Sequence, residues 1–251
     1  MIQLRTPTEI AGIGRAGEIV ALALQAAVDR VEPGVTTAQL DAAVTTVLSD
    51  AGADAIFLGA IGETPFPTAS CVSVNHQALH GIPGDRVLVN GDLVTIDAGC
   101  RFEGWCADAA RSVGVGALEP RAEELLTGGQ RALETALAVL DSRGRWSDVV
   151  RRVRAEVTGM RLRLIEGPTG HGIGRELHED PVAGWESPPR ADFDVVDGLV
   201  LAVEPVVTTG NGRLGIAADR WTLETCDSHP TVHFEQTVAM TAKGVKVLTR
   251  W

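Results

Sequence analysis

The chain has 251 residues, of which 33 are acidic and 22 basic, giving a formal net charge of −11 at pH 7. A chain of this length can bury a sizeable hydrophobic core, so we expect an ordinary globular fold. The acidic balance excludes a general electrostatic attraction to nucleic acid or to an anionic membrane surface, so neither is expected as a direct partner.

The cysteines and the N-terminal segment indicate the cellular compartment. Cys71, Cys100, Cys106 and Cys226 form neither a CxxC pair nor the dense pattern of a disulfide-stapled secreted domain. The N-terminal segment lacks an apolar core with a small-residue cleavage site, and no stretch reaches the roughly eighteen uncharged apolar residues of a membrane span. These features predict a soluble protein of the reducing cytoplasm.

Two helices are predicted at the start of the chain. Thr6 can cap the first and Glu9 can complete a capping box, after which a run rich in Ala, Ile, Val and Leu extends to about Val31. The second helix repeats this pattern, with Thr36 as its cap and Gly52 at its end.

Strands follow the first two helices, and the order of two helices and then strands recurs in the second part of the chain. Between about residues 55 and 116, short β-branched runs separated by Gly, Pro and Asn predict strands at CVSVN, LVTIDAGC and DAARSVGVG. Two further helices are predicted over 120–144 and 147–160. The strands predicted after them are GLVLAVEPVVTTG, RWTLETC and HFEQTVAMT.

The repeated order of two helices followed by strands predicts a pseudo-duplicated α+β fold. The sharpest boundary, near residues 118–120, is only a few residues long, and no low-complexity linker separates the two halves. We therefore predict a single domain over residues 1–251, with related halves of approximately 1–118 and 119–251.

Four of the predicted strands carry a carboxylate among apolar neighbours. An acidic group in such surroundings is rarely buried unless it is paired, hydrogen-bonded or bound to a metal, because an unpaired buried charge is costly. Any one of the four could lie on the solvated face of its strand, but four together favour a metal site. They are Asp97 in VTIDAG, Asp108 in GWCADAA, Glu204 in LAVEPVV and Glu235 in HFEQTVAM.

Two histidines, His171 and His178, lie seven positions apart in the glycine-rich stretch GHGIGRELHEDP, which we interpret as a loop entering the sheet. Such a loop can bring His171 to the metals and hold His178 nearby for a substrate, although each histidine alone could instead be structural. Hard oxygen donors with one imidazole suit two divalent ions such as Mn, Fe, Co or Zn.

Several motifs occur in order along the chain: HGIP at 80–83, TIDAG at 95–99, Asp108, GHGIGRELHEDP, VEPVV and FEQTV. Together they resemble the type I methionine aminopeptidases, over essentially the whole chain. The resemblance implies the pita-bread fold, in which two pseudo-symmetric α+β halves hold a dinuclear metal centre on a curved antiparallel sheet. It also implies a metal-dependent aminopeptidase that removes the N-terminal methionine from new polypeptides near the ribosome, with a monomer as the usual state.

The resemblance implies a role for each matching metal ligand. Asp97 would hold the second metal, Asp108 and Glu235 would bridge the two ions, and His171 and Glu204 would complete the first. Such ions lower the pKa of a bound water towards about 7, so a bridging hydroxide can attack a peptide carbonyl at neutral pH, with Glu204 as the expected proton acceptor.

Two further histidines are implied to act on the substrate and not on the metals. His178 would contact the substrate carbonyl and stabilise the developing oxyanion. His80, in LHGIPG, would lie near the scissile amide nitrogen.

The positions of the methionine pocket match less completely than the metal ligands. Phe66, Cys71 and Trp221 match pocket positions, Leu177 stands where phenylalanine is usual, and Glu63 stands where an aromatic residue is common. If Glu63 pointed into the pocket, the site would accept a polar or cationic residue. We favour a solvent orientation, because glutamate is seldom buried unpaired.

Three alternatives remain open from the sequence. The first is an aminopeptidase with an altered first-residue preference, and the second is a non-catalytic pita-bread binding module, against which all five ligand positions argue. The third is a proline-specific peptidase, against which the absence of an extra N-terminal domain counts. The physiological metal is not determined by the donor set, because carboxylate-rich sites tolerate several ions.

Overall fold

The computed structural model describes residues 1–167 and 170–251. Within these ranges there are four helices, α1 to α4, at Pro7–Val28, Thr37–Asp50, Pro120–Asp141 and Trp146–Gly159. Strands β1 to β8, among the same residues, are Asp54–Ala55, Ser70–Val74, Gln77–Leu79, Leu93–Phe102, Trp105–Gly114, Arg163–Leu164, Gly170–Gly172 and Glu179–Ala183. Strands β9 to β15 are Val200–Val203, Val206–Thr208, Leu214–Ile216, Leu223–Thr225, Thr231–His233, Glu235–Thr241 and Gly244–Val247.

The first helix begins as its capping residues predict. The Thr6 backbone N–H donates to the Glu9 carboxylate at 2.8 Å, and the Glu9 backbone N–H lies 3.4 Å from the Thr6 hydroxyl, which completes the capping box. The helix ends at Val28, a few residues before the expected end near Val31. The backbone after it tightens into i→i+3 turns, in which the N–H groups of Arg30 and Val31 donate to the carbonyl oxygens of Ala27 and Val28.

Helix α1 is long and apolar enough, by length and composition, to span a membrane, although Glu9, Arg15 and Glu18 interrupt its apolar run. In the fold, 56% of its apolar window is buried, and the helix packs against α2, β4 and β5. Ile13, Val20 and Leu24 are fully buried in that contact. Helix α1 is therefore a core helix of this fold.

Strands from both halves of the chain pair in one antiparallel sheet, which has nine strands among the described residues. Its order is β1-β4-β5-β14-β9-β7-β8, with β15 paired to β14 and β2 paired to β4. The halves join where β5 meets β14, with Glu235 opposite Ala110. We propose that residues 1–251 form one domain, and this shared sheet supports the proposal.

Alternation along the strands separates the core from the opposite face of the sheet. On β4, Val94, Ile96 and Ala98 belong to the cluster packed with α1 and α2. Because successive side chains of a strand point to opposite faces, Asp97 projects away from those helices. Helices α3 and α4 form a second cluster with β9, β14 and Trp185. The acidic residues of the central strands are thus left to face one another.

The predicted strand over 198–210 is broken in the structure. Strands β9 and β10 lie in different sheets, and Glu204 and Pro205 occupy the break between them. Proline has no backbone N–H to donate to a strand ladder, so it ends the pairing there. The break places Glu204 at the end of β9.

The expectation of a loop over residues 170–181 was wrong for its two ends. Gly170–Gly172 forms β7 and pairs with β8 and β9, so His171 lies on a strand. A Cβ atom on Gly170 would come within 2.5 Å of the Ala202 carbonyl oxygen, and one on Gly172 would clash with the Asp180 carbonyl oxygen. The glycines therefore allow close approach of neighbouring strands, which is a use of glycine other than flexibility.

Candidate metal centre

The five predicted metal ligands lie on adjacent strands of the nine-stranded sheet. Asp97 is on β4, Asp108 on β5 and Glu235 on β14, while Glu204 follows β9 and His171 is on β7. All five residues are buried. The fold thus brings together side chains that are up to 138 positions apart in the sequence, from Asp97 to Glu235.

The first group of donors surrounds the imidazole of His171. Its Nε2 atom lies 3.5 Å from Asp108 Oδ2 and 3.7 Å from Glu204 Oε1. Ligand atoms of Asp108, His171 and Glu235 all lie within 4.8 Å of one another, which is close enough for them to share one cation. Nδ1 of His171 lies 3.0 Å from the Gly172 carbonyl oxygen, an arrangement that leaves Nε2 directed at the carboxylates.

A second group lies beside the first and shares Glu235 with it. Ligand atoms of Asp97, His233 and Glu235 also lie within 4.8 Å of one another. Oδ1 of Asp97 is buried and has no hydrogen-bond partner among the residues that the structure describes. Because buried carboxylate oxygens are normally hydrogen-bonded or metal-bound, this unpartnered atom fits a cation. Two groups sharing one carboxylate suit two cations.

The electrostatics of the cluster favour bound cations or protons. Burial raises the pKa of Asp97 and Glu235 well above the usual range, and the negative charge of Asp108 raises both further. Burial likewise raises the pKa of Glu204 to about 8. Burial lowers the pKa of His171, but the hydrogen bond and charge of Asp108 and the charge of Glu204 outweigh it, so the pKa rises to about 9. Metal binding should therefore release protons.

We expect protein stripped of metal to lose stability as the pH rises. The raised pKa of Glu204 contributes stability that is complete below its unfolded value of 4.5 and is lost as the pH passes about 8. The raised pKa of His171 acts in the same direction: its contribution to stability is complete below pH 6.5 and is lost as the pH passes about 9. A metal at about 100 times its Kd adds roughly 2.7 kcal/mol, or about 5–10 °C in Tm for a chain of this size.

Scanning calorimetry with chelator and with added Mn, at pH values of about 5, 7 and 9, measures this effect. The Tm of the stripped protein should fall across the series, and the metal-induced increase should grow. A Tm of stripped protein that rises between about pH 7 and 9 would contradict the protonated cluster.

Neighbouring hydrogen bonds hold two of the ligands in place. The Thr237 hydroxyl donates to the Asp108 carbonyl oxygen at 2.8 Å and lies 3.2 Å from Asp108 Oδ1. The indole N–H of Trp185 donates to the Glu204 carbonyl oxygen at 3.2 Å. Trp185 is fully buried in the cluster that contains α3 and α4, so its hydrogen bond fixes the backbone at the end of β9.

A cavity of about 290 Å³ opens over the five acidic and imidazole ligands, all of which line it. Its other walls are mainly apolar, and four of the predicted pocket residues, Phe66, Cys71, Leu177 and Trp221, are part of them. Phe66 and Trp221 meet edge to face, with ring centroids 5.1 Å apart. The remaining apolar wall consists of Phe57, Ala60, Ile61 and Leu79, which the sequence analysis did not identify.

Glu63 is not among the described residues that line this cavity. Its carboxylate forms an ion pair with the guanidinium of Arg220, and both side chains are exposed. The pair lies beside the indole of Trp221, whose N–H donates to the Thr64 carbonyl oxygen at 3.0 Å. A partner in solvent avoids the cost of burying this charge next to apolar side chains.

His80 and His178 both line the cavity without joining either group of ligand atoms. The His178 ring stands 4.4 Å, centroid to centroid, from that of His171. Partial burial lowers the pKa of His178, and the positive charge of His171 lowers it further. Burial also lowers the pKa of His80, whose ring stands 6.3 Å from Trp221. Both imidazoles are thus favoured in the neutral form beside the metal ligands.

His233 is the ligand-type residue that the sequence analysis missed. It is 1% exposed and lies two positions before Glu235 in TVHFEQTV. Because side chains two apart in an extended segment share a face, this spacing was a signal that could have identified it.

A larger cavity, of about 840 Å³, adjoins the first and shares Leu79, His80, His178 and Glu204 with it. Arg154, Arg163 and Arg213 also line it. The two cavities together give the ligand cluster an apolar side and a polar side.

Comparisons with known proteins agree with this geometry. A sequence profile of the family described as Metallopeptidase family M24 matches residues 11–242. The chain is 35% identical to Methionine aminopeptidase 1 of Bacillus subtilis (strain 168) over 250 residues, covering 100% of both chains. It is also 35% identical to Methionine aminopeptidase 1 of Mycobacterium tuberculosis (strain CDC 1551 / Oshkosh), covering 99% of this chain and 95% of that one.

Solved structures show the same likeness. The methionine aminopeptidase of Thermotoga maritima matches with a TM-score of 0.95 at 33% identity, covering 100% of both chains. The prolidase of Pyrococcus furiosus matches with a TM-score of 0.74 at 23% identity, covering 99% of this chain and 65% of the other, a likeness of fold alone. The expected α+β pita-bread fold is confirmed.

Proposed function

Because the chain belongs to metallopeptidase family M24, we propose that it removes the N-terminal methionine from polypeptides in a metal-dependent reaction. Curated relatives about 35% identical over their full length carry the name methionine aminopeptidase, which supports the assignment. The observation that carries it is the cavity of about 290 Å³, which has metal-ligand side chains on one side and apolar side chains on the other.

The donor set fits two divalent ions, which we propose to be drawn from Co, Mn, Fe and Zn. Asp97 would hold the second ion, His171 and Glu204 the first, and Asp108 and Glu235 both. When bound, such a pair supplies a water acidified for nucleophilic attack and a Lewis acid for the peptide carbonyl. The unpartnered Oδ1 atom of Asp97 supports this assignment.

Three side chains are proposed to act on the substrate. Glu204 lines both cavities, so its carboxylate can accept a proton from the attacking water and return it to the leaving amine. His178 would donate from its neutral imidazole to the developing oxyanion. His80, whose ring lies near that of Trp221, would contact the scissile amide nitrogen.

The apolar wall suits an unbranched thioether side chain. Phe66 and Trp221 present ring edges and faces to the cavity, and sulfur contacts with aromatic rings are favourable. Buried Cys71 and half-buried Leu177 add apolar surface. Since Glu63 is exposed and paired with Arg220, it offers no unpaired charge to a cationic first residue. Methionine is therefore the proposed first residue, with a small second residue preferred.

Turnover of four peptides tests this specificity. Met-Ala-Ser should be cleaved in preference to Leu-, Lys- and Arg-Ala-Ser when stripped protein is supplied separately with Mn, Fe, Co or Zn. Preference for a basic first residue would overturn the methionine assignment and leave the metal chemistry intact. Absence of turnover with every metal would favour a binding module on this fold.

We further propose that the protein acts in the cytoplasm, as a monomer, on the N-termini of nascent polypeptides near the ribosome. The net charge of −11 supports the absence of direct contact with nucleic acid or an anionic membrane surface.

A further inference from the structure

His233 ends strand β13, and its ring faces the metal centre. The next residue, Phe234, packs in the cluster that contains α3 and α4. His233 and Glu235, on either side of Phe234, therefore point the other way. The backbone of His233 is fixed, because its N–H donates to the Ser112 hydroxyl at 2.8 Å and its carbonyl oxygen lies 2.9 Å from that hydroxyl.

The ring of His233 has no hydrogen-bond partner in the described part of the chain. Nδ1 and Nε2 of His233 are both buried, and neither has a partner among residues 1–167 and 170–251. A buried polar atom left unpaired costs about 1–3 kcal/mol, so such atoms in a folded protein need an explanation. A purely structural role therefore does not account for this buried imidazole, whose two nitrogens have no hydrogen-bond partner among the described residues.

The distances around Nε2 resemble those between ligands of one cation. Nε2 lies 3.7 Å from Glu235 Oε2 and 3.9 Å from Glu204 Oε2, which is too far for a hydrogen bond. Atoms bound about 2.0–2.2 Å from one ion are roughly 3–4 Å apart, so these separations suit shared coordination. Asp97 completes the group, with an equally unpartnered oxygen.

We propose that His233 is a direct nitrogen ligand of the second metal ion, beside Asp97 and Glu235. Each ion of the pair then carries one imidazole, from His171 at the first site and His233 at the second. This inference rests on the proposed metal centre and is independent of which peptide is cleaved. Since imidazole is a better donor for Co and Zn than for Mn or Mg, the second site should favour the former.

X-ray absorption of the protein loaded with two equivalents of Co counts the imidazoles directly. The expected result is one imidazole per Co on average, and His233→Gln should halve it. The second Co should also bind about 100-fold more weakly to His233→Gln in calorimetric titration, with the first site unchanged. His229→Gln, which alters an exposed histidine, is the matched control and should resemble the parent.

The parent protein alone can overturn the inference, so a variant that fails to fold does not weaken the test. An average of half an imidazole per Co in the parent would show that His233 is not a ligand. Failure of the parent to bind Co would overturn both the ligand and the proposed function. Two imidazoles for two Co ions without cleavage of Met-Ala-Ser would overturn the function and leave the ligand standing.

Discussion

Replacing Asp108 with asparagine will remove metal binding and peptide turnover together. Asp108 Oδ2 lies 3.5 Å from His171 Nε2, and the same residue belongs to the group that includes Glu235. The substitution keeps the volume of the side chain but removes a charge that both proposed ions need. The loss of turnover should exceed the 10²–10³-fold contributed by a single transition-state donor, because the metal itself is lost.

Elemental analysis after dialysis, together with turnover of Met-Ala-Ser, measures both effects of Asp108→Asn. Asp92→Asn is the matched control, since Asp92 is also buried but accepts from Asn75 at 2.8 Å and from the Val89 backbone at 3.0 Å. That control should lower stability and keep the parent's metal content. An Asp108→Asn protein that retains two ions and full turnover would remove Asp108 from the metal centre.

Replacing His178 with alanine will lower turnover by about 10²–10³-fold and leave the metal content unchanged. The residue lines both cavities and lies beside His171 without joining either group of ligand atoms. Its pKa is lowered by partial burial and by the charge of His171, so the neutral ring can donate one hydrogen bond to an oxyanion. Loss of that donor affects the transition state more than the bound substrate.

The predicted split is a fall in kcat with little change in KM for Met-Ala-Ser. His229→Ala, at an exposed position away from the cavity, provides the control and should match the parent. An equal loss of metal in His178→Ala would show that the residue is a ligand. Unaltered turnover would instead leave it a purely structural role.

Local features of the sequence were sufficient for the helices and for most of the strands. Thr6 and Glu9 form the capping box that their spacing predicts, because capping depends on residues only three positions apart. Alternation on β4 placed Asp97 opposite the core face for the same local reason. The candidate metal ligands could be proposed from the sequence because an acidic side chain among apolar neighbours conflicts with ordinary burial.

Contacts between distant segments decided what the sequence left open. Whether Glu63 enters the pocket depended on Arg220, 157 positions away, which pairs with it in solvent. The strand around His171 depended on how closely the carbonyl oxygens of neighbouring strands approach its glycines. The place of His233 beside Asp97 depended on the pairing of the two halves in one sheet. Pairing partners and charge neutralisation act through space, so periodicity and spacing along the chain do not by themselves specify them.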